Sequence, residues 1–160
     1  MPQDRRSTAY HEAGHAIASF YLDVPGNLVF VTIDPPGNGV DLTHCQGSVD
    51  AKDAANRALV QDLMIQRMAG RQAEERATGR SCRDGAADDY LRAKMEAVDA
   101  GIFVEGSTPA SAFWREQEEL ARRFVDKHWH EIVAVAEALI KHTRLWREDV
   151  QRAISTAGRE

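Results

Sequence analysis

His11-Glu12-Ala13-Gly14-His15 lies in the middle of a run, Asp4 to Leu22, that is rich in small residues and contains no proline. Ser7 or Thr8 can punctuate its start, and the turn formers Asp23-Val24-Pro25-Gly26-Asn27 follow its end. The spacing predicts a helix over 4–22. Residues four apart on a helix stand one turn above each other on one face, so the imidazoles of His11 and His15 converge. Two such imidazoles can hold Zn²⁺ at about 2.0–2.1 Å, and the neighbouring Glu12 can reach a water at the metal and act as general base. With 6 histidines in 160 residues, this pattern arises by chance roughly 0.02 times per chain. Gly14 costs a helix roughly 1 kcal/mol relative to alanine, which points to close approach by another backbone.

Outward from this helix the pattern changes twice. Leu28 to Ile33 is a β-branched and aromatic run of strand length, Asp34 to Gly39 is turn-rich, and Val40 to Cys45 is a weaker strand. These form a small sheet or hairpin over 28–45. From Ala51 onward the chain reads as helical to 157, in four pieces: 51–78, 86–103, one long helix over 110–142, and 147–157. The fold class is mostly α with a small β-sheet, in a single domain over 1–160.

Composition narrows the classes. The net charge is −5, with 43% hydrophobic and 28% charged residues, which describes an ordinary globular chain. An acidic balance disfavours a nucleic-acid binder. No apolar run reaches the roughly 18 residues of a membrane span, and no apolar leader follows Met1-Pro2-Gln3-Asp4. Cys45 and Cys82 are too few for a disulfide framework, so a cytoplasmic setting is expected.

A catalytic zinc needs a third protein ligand. The metzincin continuation asks for glycine at 18 and histidine at 21, where Ala18 and Tyr21 stand. No glutamate occurs between His15 and Glu74. The acidic candidates within that gap are aspartates mostly in turns; beyond it lie Glu74-Glu75 on one helix and Asp88-Asp89 on the next, and chemistry alone does not choose among them. His44 with Cys45, and Cys82, read as ordinary strand or loop residues. His128 and His130 fall on different helical faces, so they read as packing and surface residues. Trp114 and Trp146 read as apolar anchors, and Arg115 to Arg123 as a solvated face.

Thr8-Ala9-Tyr10-His11-Glu12-Ala13-Gly14-His15-Ala16 resembles the zinc-motif helix of the FtsH family of AAA+ zinc metalloproteases. Ala69-Gly70-Arg71-Gln72-Ala73-Glu74-Glu75 is similar to that family's A-G-R-x-A-E-E segment, and Gly85 to Ala93 to its G-A-x-N-D-L-x-x-A segment. The tail, Ala136 to Ile140 with Leu145 and Asp149-Val150, is similar to the family's closing helices with less specificity. The resemblance implies an FtsH-like zinc peptidase domain in which His11, His15 and Asp89 hold Zn²⁺ and Glu12 is the general base. Glu74, Glu75 and Asp88 become candidates for orienting those ligands. Asp88 departs from the family's asparagine, Tyr90 stands where an aliphatic residue is common, and Val40 to Cys45 lacks a match to the family's substrate-groove strand.

The family also joins its peptidase to a membrane anchor and an ATPase, whereas these 160 residues contain no G-x-x-x-x-G-K-[ST] motif. The expectation is therefore a zinc endopeptidase standing alone and ATP-independent in itself. It would act on peptides or unfolded polypeptide, with a separate ATPase or adaptor and a homo-oligomer as open partners. The competing expectation is a proteolytically silent zinc-binding module of the same fold.

Overall fold

The computed structural model describes residues 4–22, 24, 27–34, 39–42, 54–80, 83–104 and 110–159. Helix α1 (Arg5–Tyr21) leads into β1 (Leu28–Thr32) and β2 (Gly39–Leu42), followed by α2 (Ala54–Thr78) and α3 (Arg83–Asp99). Helices α4 (Ala110–Lys127) and α5 (Trp129–His142), strand β3 (Arg144–Trp146) and α6 (Arg147–Ala157) complete the order. The fold is mostly helical, as expected, and the expected β1–β2 pairing is antiparallel, with Val31 opposite Val40.

Helix α1 starts one turn before the expected cap: Asp4, not Ser7 or Thr8, accepts from the Arg6 N–H. That shift frees Ser7 for another role. Every residue from Thr8 to Ser19 is buried, because α2, α5 and the sheet all pack on α1. Alanines at 9, 13, 16 and 18 let these neighbours come close on several sides. At Gly14 the approach is backbone to side chain-free backbone: an added Cβ would lie 2.5 Å from the Ala69 carbonyl oxygen. The close contact inferred from glycine in a helix is thus the α1–α2 crossing.

Two expectations are corrected. The single helix over 110–142 is two helices, broken at His128 (φ −107°, ψ 21°). No glycine or proline marks this break; the two halves pack on different partners, α4 along α2 and α5 along α1. His128 is held at the bend between Phe124 and Tyr21, with ring centroids 4.6 Å and 4.4 Å away. The second correction is that the helical remainder contains a strand. Arg144–Trp146 pairs antiparallel with β1, Phe30 opposite Trp146, so the sheet has order β2-β1-β3. Three residues are too few for periodicity to reveal them.

Ile17, Leu28, Val31, Ile132, Val135, Leu139 and Val150 form the core that joins α1, the sheet, α5 and α6. A second cluster, Val60, Met64, Met68, Ala93, Ala97, Phe103 and Phe113, holds α2, α3 and α4 together. Trp114 packs against Phe103 and Phe113, whereas Trp146 is half exposed against Phe30. Arg122 and Arg123 pair with Glu119 on an exposed face, as expected. His44, Cys45 and Cys82 lie outside the described residues. No described helix is long and apolar enough to cross a membrane.

Candidate metal centre

Stripes at four-residue spacing on α1 and α2 meet to build the site. Ser7, His11 and His15 run up one face of α1; Gln66, Gly70 and Glu74 run along the facing side of α2. They pair in antiparallel order, Ser7 and His11 with Glu74, and His15 with Gln66 and Gly70. Asp89 enters from α3.

His11 Nε2 and His15 Nε2 are 3.1 Å apart, and each lies 3.2 Å from Asp89 Oδ2. These three side chains form a group whose ligand atoms can share one ion. A tetrahedral ion with bonds of about 2.0–2.1 Å separates its ligand atoms by about 3.3 Å, so the spacing fits.

The hydrogen bonds behind the ligands make the fit chemical as well as geometric. His11 Nδ1 is 3.2 Å from Glu74 Oε2, and a carboxylate can only accept, so Nδ1 carries the proton. His15 Nδ1 donates to the Gln66 carbonyl at 2.8 Å for the same reason. When both rings are neutral, as ligation of a cation requires, each turns an Nε2 lone pair toward a third acceptor, the Asp89 carboxylate. Three such atoms repel one another until positive charge, a metal ion or a proton on His11 Nε2, sits between them.

The proton affinities express the same demand. Burial works against protonation of His11, but hydrogen bonds to Asp89 and Glu74 outweigh it and lift the imidazole to about 10. Burial also works against ionisation of Asp89, yet the bonds from His11 and His15 hold its carboxyl well below the usual carboxylate range. Glu12 is buried beside the ligands; burial raises its carboxyl, with His15 and His11 partly offsetting the rise. A raised carboxyl is suited to taking and returning a proton near neutral pH.

Glu74 is 1% exposed and is held by the Ser7 hydroxyl, which donates to Oε1 while Oε2 accepts from the His11 Nδ1–H. Glu75, one position on, turns away from the centre and pairs with Arg71 at 2.8 Å. Asp88 is exposed on α3 and stands outside the group of three. Three contributors were not singled out from the sequence: Ser7, the Gln66 carbonyl and Gly70 as the seat of His15. An added Cβ at Gly70 would lie 2.4 Å from His15 Nε2. The four-residue stripe running through Ser7, His11 and His15 was the available signal for the first.

Residues 1–99 match the model of peptidase family M41. The chain is 37% identical over 105 residues to the ATP-dependent zinc metalloprotease FtsH 1 of Salinibacter ruber, covering 63% of this chain and 15% of that protein. It is 34% identical over 97 residues to the mitochondrial inner membrane m-AAA protease component AFG3L2 of Mus musculus, 61% of this chain and 12% of that one. The FtsH of Thermus thermophilus aligns at 30% over 154 residues, 94% of this chain and 20% of its own length. The chain thus spans less than a third of the length of these relatives. With the family model covering more than half of its residues, the chain belongs to peptidase family M41, the FtsH-type zinc peptidases.

Proposed function

We propose that this chain is a zinc-dependent endopeptidase acting on peptides or unfolded polypeptide, with His11, His15 and Asp89 as the metal ligands and Glu12 as the catalytic acid–base. The observation that carries the reading is the convergence of His11 Nε2, His15 Nε2 and Asp89 Oδ2 within 3.2 Å of one another. Zinc held there would polarise a scissile carbonyl and acidify a water molecule.

The remaining work belongs to the protein's own groups. Glu74 and the Gln66 carbonyl fix each histidine as its Nδ1–H tautomer, so both Nε2 atoms stay available as ligands. Glu12, buried next to the first ligand, accepts a proton from the attacking water and returns it to the departing amine. Burial of the centre excludes bulk solvent and strengthens each of these interactions. Strand β2 lies at the edge of the sheet, and an extended substrate would add there through backbone hydrogen bonds. Substrates would arrive already unfolded, or be delivered by an ATPase or adaptor; two of the relatives above are ATP-dependent by name.

The test is Glu12→Gln. The variant retains stoichiometric zinc and loses cleavage of an unfolded casein or peptide-library substrate by at least about 10²-fold. Cleavage at the wild-type rate would remove Glu12 from the mechanism, and a wild type that binds no zinc would remove the reading altogether.

A further inference from the structure

The three ligands are not equally well secured. His11 and His15 sit on α1, buried among α2, α5 and the sheet. Asp89 is the one ligand supplied by α3, its side chain is 20% exposed, and α3 lies chiefly against α2. Among the described residues, α3 gives the apolar cluster it shares with α2 and α4 only the small side chains of Ala93 and Ala97 as fully buried members, which interlock little against a roll of the helix. A roll of about 10° moves a side-chain oxygen about 5 Å from the helix axis by about 1 Å, enough to spoil a set of ligands spaced 3.1–3.2 Å apart.

Tyr90, the residue after Asp89, blocks that roll. Its hydroxyl donates to Glu118 on α4, and its ring lies 5.9 Å from the Trp114 ring on the same helix. Arg71 of α2 closes the arrangement from the other side. Its guanidinium stands over the Tyr90 ring at 5.0 Å, is bound by Glu75 at 2.8 Å, and reaches Glu118 at 3.6 Å. Tyr90 is therefore joined to both α2 and α4. A short aliphatic residue at this position, common in the family segment, would supply neither the hydroxyl bond to Glu118 nor a ring under Arg71.

We infer that Tyr90 is a positioning residue for the third ligand: through Glu118 it latches α3 to α4 and holds the Asp89 carboxylate at the two histidines. This inference rests on the reading of Asp89 as a zinc ligand. It also gives Glu75 a part, as the residue that aims Arg71 at the latch and not as a neighbour of the metal.

The test measures zinc affinity, by competition with a chromogenic chelator, in wild type, Tyr90→Phe, Asp89→Asn and the double variant. Tyr90→Phe deletes one oxygen and keeps the ring, and is expected to weaken zinc about tenfold, as loss of a supporting group around a metal does. In the Asp89→Asn background the same substitution is expected to change affinity less than twofold, because the group it positions is already disabled. Glu118→Ala breaks the same bond from its other end and should match Tyr90→Phe, whereas Glu118→Gln keeps an acceptor and should restore near-wild-type affinity. An unchanged affinity in Tyr90→Phe, or an equal loss in both backgrounds, overturns the latch while leaving the Asp89→Asn deficit intact. Equal zinc affinity in wild type and Asp89→Asn overturns the ligand assignment beneath it.

Discussion

Gly70→Ala is the sharpest probe of how the two histidines are seated. Alanine is favoured over glycine by roughly 1 kcal/mol within a helix, so propensity alone forecasts a more stable protein. The structure forecasts the opposite. The new Cβ would stand 2.4 Å from His15 Nε2, 2.7 Å from Cδ2 and 2.8 Å from Cε1. Ordinary contact begins at about 3.4 Å, so the ring must retreat by about 1 Å, which disturbs the 2.8 Å bond that its Nδ1 makes to the Gln66 carbonyl. Overpacking of this kind costs about 1–3 kcal/mol, for a net loss of up to about 2 kcal/mol after the helix gain. A displacement of 1 Å at a reacting centre costs about 10²-fold, and we expect zinc affinity to fall by that order. Chelator competition reads the affinity, and thermal melts of the metal-free protein read the stability. The decisive control is the same substitution in His15→Ala. With the imidazole gone the clash is gone, so Gly70→Ala should turn stabilising by up to about 1 kcal/mol. Wild-type zinc affinity in Gly70→Ala, or the same destabilisation with and without the His15 ring, would refute the reasoning.

Asp89→Asn should lose zinc by at least about tenfold while Asp88→Asn, altering an exposed side chain, stays within twofold of wild type on the same titration. Gly14→Ala would place a Cβ 2.5 Å from a backbone oxygen and 2.9 Å from Ala73 Cβ. We expect destabilisation of about 2–3 kcal/mol by denaturant melts, since neither neighbour is the free end of a flexible side chain. The metal-free protein should also show a directional pH dependence. Protonated His11 is favoured in the folded state, so its contribution is complete below about pH 6.5 and lost as pH rises through about 10. Asp89 acts in the reverse sense, contributing above its ordinary range near 3.8 and losing that contribution only in strong acid. Melting temperature in chelator should therefore decline from pH 6.5 to 10, and a flat or rising curve there contradicts the arrangement. Zinc binding, which needs His11 unprotonated, should strengthen over the same interval.

Much of this centre was legible in the chain before any fold was known, for local reasons. Four-residue spacing in a helix brings His11 and His15 together whatever surrounds them, and a glycine in mid-helix announces a close neighbour. The end of the first helix at Tyr21 and the β-branched run from Leu28 likewise report on backbone preferences that neighbours in space did not override. The break at His128 and the strand at Arg144–Trp146 were not legible. The first exists because α4 and α5 rest on different helices, the second because β1 offers a free edge to three residues that carry no strand signal of their own.

By itself the sequence determined the helix that carries His11 and His15, and it offered Glu74, Glu75, Asp88 and Asp89, beside aspartates in turns, as carboxylates able to join them. Only the tertiary structure divided that set. Helical phase turns Glu74 toward α1 and Glu75 away from it, and the placement of α3 brings Asp89 to the two imidazoles while Asp88 faces solvent. Adjacent residues on a helix differ by about 100° in direction, so near-identical neighbours in sequence become a buried hydrogen-bond partner and a surface ion pair, or a ligand candidate and an exposed charge. Which member of each pair faces inward depends on where another helix lies, and that is decided by packing between elements far apart in the chain.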